Sequence, residues 1–101
     1  MEQDTITPLE LAQIDEDIKR AELLKTLKKS KAFKSLILDY FIDEGTETLM
    51  LNMSLKTDEN FRDSMTEQLL ARSYLKRFMM MIEQQGIEAE EYFREMNSEE
   101  V

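Results

Sequence analysis

Helix breakers are almost missing from this 101-residue chain, which contains only two glycines and one proline. Pro8 lies near the N-terminus, and the glycines are Gly45 and Gly86. Between them the sequence is rich in Leu, Glu, Lys, Met and Gln, which are strong helix formers. A chain with so few breakers is predicted to be all-α and to fold as one small domain.

The start of the first helix is marked by the sequence TPLE. Thr7 is predicted to be the N-cap, and Pro8 favours the first helical position. The Glu10 carboxylate can accept a hydrogen bond from the Thr7 amide, which completes a capping box. The sequence therefore predicts a first helix over residues 7–29.

Ser30 is predicted to cap a second helix, over residues 31–55, and one helix that continues unbroken through Ser30 is the alternative. The second helix carries two apolar stripes, so we expect it to lie centrally with neighbours on two sides. One stripe comprises Phe33, Ile37, Tyr40, Phe41, Thr48, Leu51 and Leu55, and the other comprises Leu38, Ile42, Leu49 and Met53. Gly45 lies on the second stripe and would admit a close backbone approach, unless it ends or kinks the helix.

The C-terminal half is predicted to form two further helices. Thr57 or Asp58 would cap a third helix over residues 58–85, and Gly86 is a natural residue to end it. The remaining predicted segments are a short fourth helix over 87–96 and tails over 1–6 and 97–101. Because the turns are short, we expect an elongated antiparallel three-helix bundle of coiled-coil-like hairpins, with the fourth helix at its C-terminus.

Three consecutive methionines lie in the third helix and cannot all face one core. Met81 is predicted to be a core residue because it shares an arc with Leu70, Ala71, Tyr74, Leu75, Phe78 and Ile82. Met79 and Met80 continue a second arc, begun by Phe61, Met65 and Leu69. Met80 lies nearly opposite Ile82, so it is either simply exposed or in contact with a partner, a second subunit or the last helix. The candidate partner-binding residues are Met79, Met80, Met65, Leu69, Leu23 and Leu27.

Charged residues define two further candidate surfaces. Five lysines form a possible patch for an anion or for the acidic residues of a partner, and a solvated helix end is the simpler interpretation. These lysines are Lys25, Lys28, Lys29, Lys31 and Lys34. The acidic groups are Asp15-Glu16-Asp17, Asp39/Asp43/Glu47 and Glu88/Glu90/Glu91. They either keep the protein soluble or imitate nucleic acid, and the net charge of −9 argues against binding of nucleic acid itself.

The chain contains no His and no Cys, which removes the commonest general base and most nucleophilic dyads and triads. No phosphate-binding or dinucleotide motif occurs. We therefore predict no catalytic residues, no cofactor, no metal site and no small-molecule substrate. No run approaches the ~20 apolar residues that span a bilayer, and the acidic N-terminus lacks the apolar region of a signal peptide. A non-enzymatic cytoplasmic protein is expected.

Two runs carry a resemblance, FKSLILDYFIDEGTETLML and NFRDSMTEQLLARSYLKRFMMMIEQQGIEAEEYF. In the first run, a Phe precedes an aliphatic pair and a Tyr-Phe pair: Phe33, Leu36, Ile37, Tyr40 and Phe41. In the second, a Leu-rich helix ends in Gln84-Gln85-Gly86 and is followed by Ala89-Glu90. Over about residues 8–96 the chain resembles small acidic all-helical proteins of tailed bacteriophages, many of them without an assigned function. The resemblance implies a phage setting, in the host cytoplasm or on the virion, and carries no active residues with it.

Three functional hypotheses follow. The first is a non-enzymatic phage protein that binds other proteins or itself, in virion assembly or as a structural accessory. It rests on apolar residues that lie on more than one arc of each long helix. The second is an acidic inhibitor of a host or defence enzyme that acts on nucleic acid. The third, which the net charge disfavours, is a nucleic-acid binder that uses the lysines.

Overall fold

The computed structural model describes residues 6–56 and 58–99, with side chains up to Asn97. In chain order its elements are α1 (Pro8–Lys29), α2 (Lys31–Phe33), a π-helical segment (Lys34–Glu44), α3 (Gly45–Leu55) and α4 (Glu59–Glu99). No described residue lies in a strand, so the all-α prediction is confirmed. Three parts of the predictions lie outside the described part of the chain: residues 1–5 of the predicted tail over 1–6, Thr57 as an alternative cap, and the last two residues.

The capping box at the start of α1 forms as predicted. The Thr7 amide donates to Glu10 Oε1 at 3.0 Å, and the Glu10 amide donates to Thr7 Oγ1 at 3.1 Å. The hydrogen bond from the Thr7 backbone, followed by the one from its side chain, lowers the pKa of the Glu10 carboxyl. The first turn of α1 is thus closed by its own side chains.

Ser30 separates α1 from the following helical run. Its backbone is extended, with φ −66° and ψ 125°, and its hydroxyl accepts from the Phe33 amide at 3.3 Å. From Lys31 to Leu55 the chain stays helical without a break. The alternative of one helix through Ser30 is therefore wrong. Gly45 neither ends nor kinks the run, because its φ of −62° and ψ of −41° are ordinary helical values.

The π-helical segment changes which side chains of this run are packed. At the end of the segment, the Gly45 amide donates a hydrogen bond to the carbonyl of Tyr40, five residues earlier, and this five-residue spacing defines a π-helix. The wider winding displaces the apolar positions from those of an α-helical wheel. Only the second predicted stripe is well packed, with Ile42 and Leu49 buried, whereas Leu51 is 60% exposed. The first stripe is half-buried at Phe33, Ile37 and Phe41, and the central position of this helix stays a prediction.

The last helix is much longer than predicted. Asp58 precedes it, and its Oδ1 accepts from the Asn60 amide at 3.1 Å. α4 then runs from Glu59 to Glu99 as one helix of 41 residues. The predictions that Gly86 ends a third helix, that residues 87–96 form a separate one, and that residues 97–99 belong to a tail are wrong. Gly86 serves a packing role inside α4 instead of a C-terminal one.

The chain packs as two compact units, and the first combines residues up to Thr26 with residues from Met80 onward. In this unit Gly86 is buried against α1. A Cβ atom added to Gly86 would collide with the Cβ of Ala21 and lie 3.6 Å from the Asp17 carbonyl oxygen. Ile82 and Ala89 are buried on either side of Gly86. Only glycine fits here, because the two helices lie too close for a side chain.

The second unit extends from Leu27 to Met79. Its buried apolar side chains are Ile42, Leu49, Met65 and Met79, and Met65 is the most deeply buried of them, at 2% exposure. α4 thus packs against the π-helical segment and α3 through its own first half. This packing fixes which face of α4 is left open to solvent.

Candidate protein-binding surfaces

The packed face of α4 follows a heptad spacing. Met65, Arg72, Met79 and Gly86 lie seven residues apart, and so do Leu75, Ile82 and Ala89. All seven are buried or half-buried. Interleaving the two series gives an alternating three- and four-residue spacing of packed positions, four of them in the second unit and three in the first. These seven residues are called the packed face of α4 below.

In the second unit, Arg72 connects the packed face of α4 to the π-helical segment. Its Nε donates to the Phe41 carbonyl at 2.8 Å, and its Nη1 donates to the Gln68 carbonyl at 2.9 Å. The guanidinium also stacks on the Phe41 ring, 4.1 Å from the ring centroid. A Cβ atom on Gly45 would lie 2.8 Å from Arg72 Nε. The close approach predicted at Gly45 is therefore made by an arginine side chain and not by a backbone.

Two of the candidate partner-binding methionines are core residues. Met65 is 2% exposed and Met79 is 6% exposed, so neither is available to a partner, and Leu69 beside them is half-buried. The prediction for these residues is wrong because it placed the core on the arc with the largest aromatic side chains. The structure places the core on an arc that includes Arg72 and Gly86, which hydrophobic patterning does not count.

The arc predicted as core is exposed instead. Leu70 is 45% exposed, Tyr74 57%, Phe78 56% and Met81 45%, while Ala71 is also exposed. From that arc only Ile82 is buried and Leu75 half-buried. At ~100° per residue, the row at i, i+4 and i+8 lies roughly opposite the packed face. Leu70, Ala71, Tyr74 and Phe78 are called the open face of α4 below.

Charged side chains flank the open face asymmetrically. Asp63 and Glu67 lie on the same side of α4, in the turns that precede Leu70. At the other end, Arg77 lies over the Tyr74 ring, 5.6 Å from its centroid. The open face is therefore apolar in its middle, acidic at its N-terminal end and basic at its C-terminal end.

The other candidate apolar residues are exposed. Met80 is 59% exposed, Leu23 71% and Leu27 46%. Met80 and Ile87 project from a side of α4 distinct from both the packed and the open face. Of the three consecutive methionines, then, only Met79 is buried.

Most lysines of the candidate patch are exposed to solvent. Lys25, Lys29, Lys31 and Lys34 are exposed, and Lys28 is half-buried. Lys34 Nζ lies 3.1 Å from Asp39 Oδ2, so part of its charge is already satisfied. The acidic run of α1 is likewise paired: Lys19 contacts Asp15 at 3.0 Å, and Arg20 contacts Asp17 at 3.1 Å. The hydrogen bond and charge of Asp15 raise the pKa of Lys19.

Each of the two units carries an open groove among its described residues. An open groove of about 560 Å³ in the second unit is lined by both signs of charge, including Asp43, Glu47, Arg72 and Lys76. An open groove of about 460 Å³ in the first unit is mainly apolar, with Leu11, Ile14, Ile18 and Phe93. Within the described residues, no three acidic side chains come together as metal ligands would.

No protein-family model, curated protein or solved structure matches the chain. Across residues 6–56 and 58–99, none of the helices combines the length and the apolar character that a membrane span requires. The function must therefore be argued from the surfaces themselves.

Proposed function

We propose that this protein is a non-enzymatic helical protein that works by binding other proteins or further copies of itself. The observation that carries the proposal is the open face of α4. Tyr74 and Phe78, which bury large areas when they are packed, are each more than half exposed on a helix held in place by its opposite side. A contiguous apolar face of this kind is typical of interaction surfaces.

The balance of apolar side chains supports the same proposal. Among the described residues, seven apolar side chains are buried, whereas eighteen large ones are more than two-fifths exposed. Single exposed apolar side chains are ordinary, but here they outnumber the core. A partner that covers part of this surface would supply burial that the chain does not provide alone.

The setting we propose is a tailed phage, with a role in virion assembly or as a structural accessory. Its support is the resemblance of residues 33–41 and 84–90 to small phage proteins. Pull-down from infected cells addresses it directly, because capsid or tail proteins and host nucleases point to opposite roles.

The test uses a variant that alters only the open face. Tyr74→Lys combined with Phe78→Lys should leave helicity and melting temperature nearly unchanged, since both side chains are already exposed. It should abolish self-association in light scattering and the capture of partners from infected cells. Ile87→Lys is the matched control, because Ile87 is 51% exposed on α4 but lies off the open face. Binding that survives the double variant unchanged would contradict the proposal.

A second candidate function has one observation in its favour. In the first unit, described residues 6–26 and 80–99 carry eleven acids against four bases. An acidic helical surface of this kind could compete with nucleic acid for a host or defence enzyme. Recovery of a nuclease in the pull-down, released by high salt and unaffected by the Tyr74 and Phe78 variant, would favour this function over the first.

A further inference from the structure

We infer that the open face of α4 docks against the same face of a second copy, with the two α4 helices antiparallel. This inference rests on the proposed function and names its partner. It combines two observations: the apolar middle of the face and the opposite charges at its two ends.

The apolar middle of the face is self-complementary. Leu70, Tyr74 and Phe78 form a row at i, i+4 and i+8, with one large side chain per turn. An antiparallel pairing can set Leu70 of one copy against Tyr74 of the second, and twofold symmetry then repeats that contact in reverse. Phe78 of each copy would lie over Thr66 of the other, at the edge of the contact.

The charges select the antiparallel direction. The same pairing that places Leu70 against Tyr74 places Glu67 against Arg77, because both pairs are centred on residue 72. Asp63 lies one turn before Glu67 and adds negative charge within reach of the same guanidinium. A parallel pairing would instead place acid against acid and Arg77 against Arg77, which is unfavourable. Each antiparallel dimer therefore gains two symmetric Arg–Glu pairs.

The sides of α4 away from this contact do not offer the same match. The packed face is occupied within the chain, with Met65 and Met79 buried and Arg72 bonded to two carbonyl groups. The side that carries Met80 and Ile87 has two large exposed apolar side chains, against three on the open face. The open face is thus the longer apolar row, and it also carries opposite charges at its two ends.

The experiment exploits the symmetry of the pairing. Glu67→Arg gives a chain with two basic positions, and Arg77→Glu gives a chain with two acidic positions. Each variant alone should dimerise about tenfold more weakly than the wild type, because two favourable pairs become repulsive. An equimolar mixture of the two should form a heterodimer, since every pair in it is again Arg with Glu. The double variant E67R/R77E should recover most of the affinity that either single change removes, less the repulsion between Asp63 and the introduced carboxylate. The matched control is E91R/R94E on an exposed side of α4, which should change nothing.

The outcomes separate this inference from the proposed function. Light scattering and native mass spectrometry would measure the dimers in each case. Wild-type dimers whose stability is unchanged by either Glu67→Arg or Arg77→Glu alone would overturn the antiparallel contact. A wild-type chain that stays monomeric, while Tyr74 and Phe78 are still needed to capture another protein, would overturn the second-copy inference but leave the proposed function standing. A wild-type chain that neither dimerises nor captures another protein would contradict both the second-copy inference and the proposed function.

Discussion

Gly86 lies in the interior of α4, where its hydrogen side chain faces the methyl group of Ala21. Helix propensity alone would favour alanine at this position by about 1 kcal/mol. The collision with Ala21 should more than cancel that gain, because overpacking typically costs about 1–3 kcal/mol. We therefore expect Gly86→Ala to lower the free energy of unfolding, measured by urea denaturation.

The control for Gly86→Ala exchanges the two partners. The double variant A21G/G86A moves the methyl group from one helix to the other, and it should be more stable than the sum of the single changes predicts. G86A combined with A71G should instead be additive, because Ala71 is exposed and lies in the other unit, 15 residues before Gly86. Additivity in both pairs would show that Gly86 and Ala21 are not in contact.

Met79 and Met80 are neighbours in sequence with opposite surroundings, at 6% and 59% exposure. Met79→Ala should destabilise the protein by about 2–4 kcal/mol, because it leaves a cavity in the second unit. Met80→Ala should change stability by less than about 0.5 kcal/mol. Thermal unfolding of both variants at one protein concentration measures the contrast. Equal losses of stability in the two variants would contradict the assignment of Met79 to the packed face of α4.

At the scale of elements, local signals in the sequence were sufficient where the structure depends on local interactions. TPLE predicts the start of α1 because Thr7 and Glu10 bond each other within one turn. Ser30 likewise marks the next helix by accepting from the Phe33 amide. These bonds involve side chains and amides three residues apart, so a reader of the sequence can place them without knowing the tertiary fold.

Non-local packing was not predictable in the same way. Glycine is a residue typical of helix ends, but the role of Gly86 depends on Ala21, which lies 65 residues earlier in the chain. The π-helical winding of Lys34–Glu44 cannot be read from an α-helical wheel. On α4 the strongest apolar row, Leu70, Tyr74 and Phe78, is the open face. The candidate site was therefore present in the sequence but was assigned to the core.

The capping box gives α1 a measurable dependence on pH. The pKa of Glu10 in the folded protein lies below its ordinary value, so this contribution to stability is present at neutral pH. It should be lost as the pH falls through the lowered pKa, when the protonated carboxyl no longer holds the Thr7 amide as strongly. The protection factors of the amide hydrogens in the first turn of α1, which compare measured exchange with the intrinsic rate at each pH, should then fall in NMR.

Glu10→Gln tests this reading of the first turn. A glutamine can still accept the bond from Thr7 but does not titrate, so the pH dependence of the protection factors should disappear. Glu22→Gln, at an exposed position on the same helix, should leave that dependence intact. A first turn whose protection falls equally in all three proteins on acidification would contradict the assignment to Glu10.

At the scale of the whole molecule, the proposed self-association should make stability depend on protein concentration. Binding that occurs only between folded chains stabilises them by mass action. The melting temperature of the wild type should therefore rise steadily from low micromolar to near-millimolar concentrations in calorimetry. The variant that carries Tyr74→Lys and Phe78→Lys should melt at one temperature throughout, and a concentration effect shared by both proteins would place the contact elsewhere.

The positions of the tyrosine rings also determine how the intrinsic fluorescence of the protein responds to unfolding and to association. The chain contains no tryptophan, and its tyrosines Tyr40, Tyr74 and Tyr92 are 62%, 57% and 44% exposed. Ultraviolet emission therefore comes mainly from tyrosine rings that already contact water in the folded state. Unfolding should alter that emission little, whereas docking of the open face would remove Tyr74 from water. The intrinsic fluorescence of this protein is thus a dye-free reporter of association rather than of folding.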